Sequence, residues 1–178
     1  NFSALPLQYR DLDEAADFQE VVDQLEQSIT ELRTTSHNLL PEVLQKAGLC
    51  ESVNLYCEKI RKLALLDIEF QMLGVLPPLT DDFQLNVYRI IQELVNNILK
   101  HSNASHTLIQ FQAKENRLSI TIDDNGSGIP ADTPEHNGIG MKSLNDRVQL
   151  LDGTMEIEQG RGTSVYLEFN IRKFIRKK

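Results

Sequence analysis

Two short glycine-rich runs have the residue types and spacing to contact a nucleotide. The first is Asp124-Asn125-Gly126-Ser127-Gly128 and the second is Asn137-Gly138-Ile139-Gly140. Glycine adopts positive φ without steric cost and lets the backbone come close to a phosphate or a ring. Either run alone is weak evidence, but two together predict two close backbone contacts with one ligand.

The aspartate of the first run should emerge at the end of a strand. Residues 118–122 alternate apolar and polar side chains, which is typical of a strand with one buried face. The carboxylate of Asp124 would then be placed to accept a hydrogen bond from an exocyclic amine. The second run precedes an amphipathic stretch from Met141 to Leu151, so its amides should lie at a helix N-terminus, where anions are favoured.

A predicted helix from Asp82 to His101 carries polar groups suited to a metal ion and a polyphosphate. Its apolar residues recur at helical spacing. At about 100° per residue, Glu93, Asn97 and Lys100 share one stripe on the opposite side, with His101 at its border. Magnesium takes few protein ligands and keeps several waters, so the Asn97 oxygen plus phosphate oxygens would suffice.

In this order and spacing, the motifs resemble the nucleotide-binding boxes of the ATPase fold shared by histidine kinases, Hsp90, MutL and gyrase. Residues 93–101 resemble the N box, 124–128 the G1 box, 138–140 the G2 box and 160–163 the G3 region. The resemblance extends from about residue 67 to 170. The short segment between the glycine boxes and the phrase at residues 36–41 are similar to two-component sensor histidine kinases that signal to NarL-type response regulators.

This resemblance implies a role for each residue of the site. Glu93 would be catalytic, orienting the incoming imidazole or accepting its proton, and Asn97 would hold Mg²⁺. Asp124 would anchor the adenine, and Thr163 would share that contact. Met141 and Ile129 would line the base, although either could be plain core. The residues that it assigns to ATP binding are Asn97, Lys100, His101, Asp124, Gly126, Gly128, Ile129, Gly138, Gly140, Met141, Gly162 and Thr163.

The N-terminal residues predict a helical coiled-coil arm. Apolar residues there alternate gaps of four and three, as in a heptad seam that needs a partner. By resemblance, residues 1–48 correspond to the second helix of a dimerisation hairpin. We do not expect His37 to be the phosphoacceptor, because in the kinases that the motifs resemble the acceptor is followed directly by an acidic residue, whereas Asn38 follows here. We expect no phosphoacceptor in this chain. The seam residues are Phe18, Val22, Leu25, Ile29, Leu32, Ser36 and Leu39.

The remainder predicts an α+β domain, and the resemblance specifies a two-layer α/β sandwich in which helices cover one face of a mixed sheet. This ATP-binding catalytic domain should comprise residues 49–171, with helices near 51–64, 82–101 and 139–151. Strands are predicted near residues 67–72, 107–113, 117–123, 154–158 and 163–170. The basic tail, residues 172–178, is predicted to be a solvated terminus.

Composition restricts the possible partners. A net charge of −8 argues against direct binding of nucleic acid, which needs a concentrated basic face. No apolar run approaches the length of a membrane span. Two cysteines without a metal-binding spacing fit a reducing compartment. We therefore expect a cytoplasmic domain, with any inner-membrane anchor of the full-length protein outside this chain.

The functional hypothesis is transfer of the γ-phosphoryl of Mg-ATP to a histidine on the upstream hairpin helix, and then to an aspartate of a response regulator. The chain would act as a homodimer through its arm. Two alternatives use the same site: a nucleotide-responsive interaction module without kinase activity, and a serine kinase of the anti-sigma-factor type on the same fold.

Overall fold

The structure, a computed structural model, describes residues 42–128 and 139–176, and only the backbone of residues 139 and 140. This part of the chain contains five strands and three helices. The helices are α1 (Glu42–Lys62), α2 (Asp81–Asn97) and α3 (Ile139–Leu150). The strands are β1 (Asp67–Leu73), β2 (His106–Lys114), β3 (Arg117–Asp124), β4 (Gly153–Gly160) and β5 (Gly162–Asn170). A π-helical turn, Ile98–Ser102, extends α2, and a 3₁₀ turn, Arg172–Phe174, follows β5.

The strands form one mixed sheet in the order β1-β2-β3-β5-β4. β1 and β2 are parallel, and the connection between them passes through α2. The other three pairs are antiparallel. β2–β3 and β4–β5 are consecutive in the chain, whereas β3 and β5 are separated by α3 and β4. Parallel neighbours need such a crossover, whereas β2 and β3 are joined by a short turn.

The core lies between one face of this sheet and the helices. Buried residues alternate with half-buried or exposed ones along β3, along residues 106–112 of β2 and along residues 163–170 of β5. From α2, Phe83 packs edge-to-face on Phe169 of β5, with 5.7 Å between ring centroids. The predicted α+β class, with a mixed sheet covered by helices on one face, is confirmed. The buried residues of the inner sheet face include Ile109, Phe111, Leu118, Ile120, Ile122, Val165, Leu167 and Phe169.

Helix α1 has a kink at Gly48, whose φ is 79°. The buried side chain of Gln84 in α2 fastens this kink: its amide oxygen accepts the N–H of Leu49 at 3.0 Å, and its amide nitrogen donates to the carbonyl of Leu79 at 2.9 Å. The predicted boundary between arm and catalytic domain, after residue 48, falls at this kink and stays a prediction. The heptad seam and His37 lie outside the described residues.

The basic tail is not simply a solvated terminus, because its backbone is docked. The Phe174 carbonyl accepts the N–H of Thr80 at 2.8 Å, and Ile175 forms an isolated β-bridge with Leu79. The Phe174 ring also lies 4.6 Å from that of Phe83, centroid to centroid. Lys173 and Arg176 remain exposed and pair with acidic side chains. The tail prediction is therefore wrong for the backbone of residues 172–176.

Candidate functional site

The predicted base anchor belongs to a row of polar residues that crosses three strands. Asp124, the last residue of β3, pairs with Thr163 of β5 on one side and with Thr107 of β2 on the other. All three are buried: Asp124 and Thr163 are 9% exposed, and Thr107 is 0% exposed. Directly paired residues project to the same face of a sheet. The row therefore places three polar groups at one end of an otherwise apolar face.

The carboxylate of Asp124 is held by the loop that follows it. Its Oδ1 accepts the backbone N–H of Gly126 at 2.8 Å. This bond fixes the plane of the carboxylate and uses one oxygen, and an ionised carboxylate can accept further hydrogen bonds through the other. The second oxygen can thus accept from a donor on a ligand, as the sequence predicts for an exocyclic amine.

The glycines around Asp124 are required by the close approach of protein backbone. A Cβ added at Gly126 would lie 2.2 Å from the carbonyl oxygen of Ser102, and one at Gly162 would lie 1.9 Å from the carbonyl oxygen of Asp124. Gly128 and Gly162 also have positive φ, 75° and 116°. These three glycines let the loop, the start of β5 and the end of the preceding helical segment meet around one carboxylate.

Hydrogen bonds fasten the first glycine run to the end of the helical segment that begins with α2. The backbone N–H and the hydroxyl of Ser127 both donate to the Ser102 carbonyl, at 2.7 and 3.2 Å. The side-chain oxygen of Asn125 accepts the N–H groups of Ser105 and His106, each at 2.9 Å. The loop and the helix end therefore form one body, and that helix end carries the residues predicted to bind phosphate and metal.

The end of this helix departs from regular α geometry. α2 ends at Asn97, and the π-helical turn that follows contains Lys100 and His101, both exposed. The projection that placed Lys100 on a stripe with Glu93 and Asn97 assumes an α-helix throughout, so it holds only as far as Asn97. π turns are frequently found at functional sites.

Asn97 is suited to bind a magnesium ion that takes most of its other ligands from phosphate and water. Its half-buried side chain makes no capping hydrogen bond to the π turn, so its amide oxygen does not cap the start of that turn. Within residues 42–128 and 139–176, no group of three His, Cys, Asp or Glu side chains could hold a metal ion. A neutral oxygen donor of this kind suits Mg²⁺, which is often bound through few protein ligands.

Glu93 lies half-buried on α2, within electrostatic reach of α1. Burial raises the pKa of Tyr56 to about 12, and the neighbouring charges of Tyr88, Cys57 and Glu93 contribute to that rise. The rings of Tyr56 and Tyr88 meet edge-on, with centroids 6.1 Å apart. These tyrosines pack α1 against α2 close to the predicted catalytic carboxylate.

Helix α3 carries the remaining predicted site residues that can be placed. Gly140 is its second residue, and Met141, the third, is half-buried. Arg147 of α3 donates to the side-chain oxygen of Asn86 on α2 at 3.4 Å, which links the two helices. Ile129 and Gly138 lie outside the described residues, as does the segment between them.

Thr107 is a site residue that the sequence analysis missed. Its hydroxyl is fully buried beside Asp124, at an inward position of β2 where the next two inward residues are apolar. The sequence feature that could have identified it is a threonine at the first inward position of a strand whose next inward residues are apolar. The pairing that brings it beside Asp124 depends on strand register, which residue types do not specify.

Comparisons with known proteins find relatives over most of the chain. The model of the family described as "Histidine kinase-, DNA gyrase B-, and HSP90-like ATPase" matches residues 83–173. The chain is 30% identical over 153 residues to sensor histidine kinase ComP of Bacillus subtilis, covering 84% of this chain and 20% of ComP. It is 28% identical over 146 residues to oxygen sensor histidine kinase NreB of Staphylococcus carnosus, covering 80% of this chain and 42% of NreB.

The fold is shared with a solved histidine kinase structure. AdeS of Acinetobacter baumannii superposes with a TM-score of 0.60 at 18% identity, covering 87% of this chain and 84% of that one. The family model and the two curated relatives confirm the resemblance to sensor histidine kinases that the motifs indicate. The chain spans less than half the length of the two curated relatives. Among the described residues, no helix is long and apolar enough to cross a membrane.

Proposed function

This chain belongs to the family of histidine kinase-, DNA gyrase B- and HSP90-like ATPases, and from that membership we propose that it is the ATP-binding catalytic part of a two-component sensor histidine kinase. Relatives that bear the name sensor histidine kinase cover about four fifths of the chain. The observation that carries the proposal is the buried carboxylate of Asp124, paired with Thr163 and bonded to Gly126 within a loop fastened to the helix end.

In this proposal the two ends of the nucleotide have different partners. Asp124 and Thr163 bind the adenine, and Met141 and Ile129 lie along its apolar faces. Asn97 holds Mg²⁺, whose charge neutralises the phosphates, while Lys100 and His101 contact phosphate oxygens directly. The glycine backbone completes the phosphate and ribose contacts at Gly126, Gly128, Gly138, Gly140 and Gly162.

The proposed reaction is transfer of the γ-phosphoryl of ATP to an imidazole nitrogen on another helix. The bond between γ-phosphorus and the bridging oxygen breaks, a phosphorus–nitrogen bond forms, and ADP leaves. Glu93 orients the imidazole or accepts the proton that the ring loses from its other, non-attacking nitrogen. Most of the catalysis is positioning and neutralisation of charge, because phosphoryl transfer requires little covalent work from the protein.

The partners proposed for the intact protein follow from the sequence motifs. The arm, residues 1–48, is proposed to dimerise with a second copy. The phosphorylated histidine, supplied by protein outside this chain, would pass its phosphoryl group to an aspartate of a NarL-type response regulator. We propose a cytoplasmic location for the domain, with any inner-membrane anchor in other parts of the full-length protein.

Calorimetric titration with ADP and ATP in the presence of magnesium tests the nucleotide site directly. We expect saturable heat with both nucleotides. Folded protein that gives no heat with either would refute the site. The kinase reaction is tested on the full-length protein with γ-labelled ATP, where an acid-labile label on histidine is expected. An unlabelled full-length protein, or phosphoserine on a partner, would contradict the histidine kinase proposal.

A further inference from the structure

One buried polar group of the site has no use in the structure as it stands. The hydroxyl of Thr107 is fully covered and has no hydrogen-bond partner. Buried polar groups are nearly always paired, and an unpaired hydroxyl lowers stability. Valine has the same shape as threonine and would fill this position without that cost. The hydroxyl is therefore unfavourable in this state of the protein, which points to a bond made in another state.

The position of Thr107 identifies its partner. The N–H of Asn125 donates to the carbonyl of His106 at 3.2 Å, so Thr107 and Asp124 form the adjacent, non-hydrogen-bonded pair of the antiparallel ladder. Side chains in such pairs are the closer ones, with Cα atoms about 4.5 Å apart. On its other side Thr107 pairs with the apolar Ile68. The polar group beside the hydroxyl within this row is thus the carboxylate of Asp124.

We propose that Thr107 is a positioning residue of the base site. When Asp124 accepts a hydrogen bond from the exocyclic amine of the purine, the Thr107 hydroxyl donates to the same carboxylate and holds it in that orientation. Because Thr107 is fully covered, it acts through Asp124 and does not touch the nucleotide itself. This inference rests on the proposed nucleotide site and adds a residue to it.

The test compares Thr107→Val, which removes the hydroxyl and keeps the shape, with Thr107→Ser, which keeps the hydroxyl. Calorimetry measures binding of Mg-ADP and of the diphosphate of purine riboside, which lacks the exocyclic amine. We expect Thr107→Val to weaken ADP binding about tenfold, or about 1.4 kcal/mol, and to melt at the same or a higher temperature than the wild type. Thr107→Ser should bind ADP within about threefold of the wild type. Both variants should bind the amine-free analogue like the wild type.

The outcomes separate this inference from the proposed function. A wild-type protein that does not bind ADP refutes the nucleotide site itself. If the wild type binds but Thr107→Val binds ADP equally well, the role of Thr107 is refuted. Equal weakening for ADP and the amine-free analogue also refutes it, because the hydroxyl would then not act on the amine contact. If Thr107→Val fails to fold, Thr107→Ala against Thr107→Ser gives the same comparison.

Discussion

The substitution Asp124→Asn tests the base anchor with the smallest possible change in shape. The side-chain oxygen of asparagine can still accept the Gly126 N–H, which Asp124 accepts at 2.8 Å, so the loop should keep its conformation. The amide nitrogen then replaces the second carboxylate oxygen. An exocyclic amine on the ligand would face a donor where it previously faced an acceptor.

The expected loss follows from the strength of the bond that is removed. A hydrogen bond to a charged group contributes about 1.5–3 kcal/mol, and leaving a buried donor unpaired costs about 1–3 kcal/mol more. A combined loss of about 2.5 kcal/mol or more corresponds to at least about fiftyfold weaker binding of ADP. The fold itself should lose less than about 1 kcal/mol, because the bond to Gly126 is kept.

Calorimetry with Mg-ADP and urea unfolding measure the two effects separately. The matched control is Asp123→Asn, which removes the same charge one residue earlier. Asp123 projects to the opposite face of β3 and pairs with Leu108 and Ser164. We expect the control to bind ADP within about threefold of the wild type. Unchanged ADP affinity in Asp124→Asn, or equal losses in both variants, would refute Asp124 as the base anchor.

Three further predictions concern stability and the geometry of the loop. In Gly126→Ala the added Cβ would lie 2.2 Å from a backbone oxygen of the helix end, so the loop should be displaced. We expect calorimetry to show Mg-ADP binding at least tenfold weaker than in the wild type. Unchanged affinity would show that the loop tolerates displacement. Gln84→Leu removes both side-chain hydrogen bonds of Gln84. We expect urea unfolding to show a free energy of unfolding lower by about 2–4 kcal/mol. A loss below about 0.5 kcal/mol would show that other contacts hold the kink at Gly48. Burial raises the pKa of Cys57 from 9.0 to about 11, so between about pH 9 and 11 the unfolded chain releases this proton while the folded chain keeps it. In this range the free energy of unfolding should fall with rising pH more steeply in the wild type than in Cys57→Ala, by up to about 1.4 kcal/mol per pH unit. Identical slopes in the two proteins would contradict the raised pKa of Cys57.

Much of the fold follows from local patterns in the sequence. The alternation in β2 and β3 predicts strands with one buried face, and the short turn between them predicts the hairpin that the structure contains. The pairing of β1 with β2 is a different case. These strands are separated by the whole of α2, so nothing local to either of them specifies that they are parallel neighbours.

Two features of the site show where residue patterns stop being sufficient. The helical projection fails after Asn97 because the π turn shifts the hydrogen-bond register, which depends on tertiary packing rather than on residue type. The sequence predicts a close backbone contact with a ligand at Gly126, and the motif resemblance assigns Gly162 to ATP binding. The structure adds an approach to the protein's own backbone, and a sequence pattern cannot distinguish these two causes.

The position of β1 bears on how this domain should be produced for experiments. The family model begins at residue 83 and therefore leaves out both α1 and β1, one of the two edge strands of the sheet. A truncated protein starting there would leave one whole side of β2 with free backbone donors and acceptors, a template on which other chains can add strands. It would also remove Leu44, Val53 and Ile68, which are all buried in the apolar core. Soluble material for crystallisation or titration should therefore begin upstream of Glu42, even though the recognisable nucleotide motifs start fifty residues later.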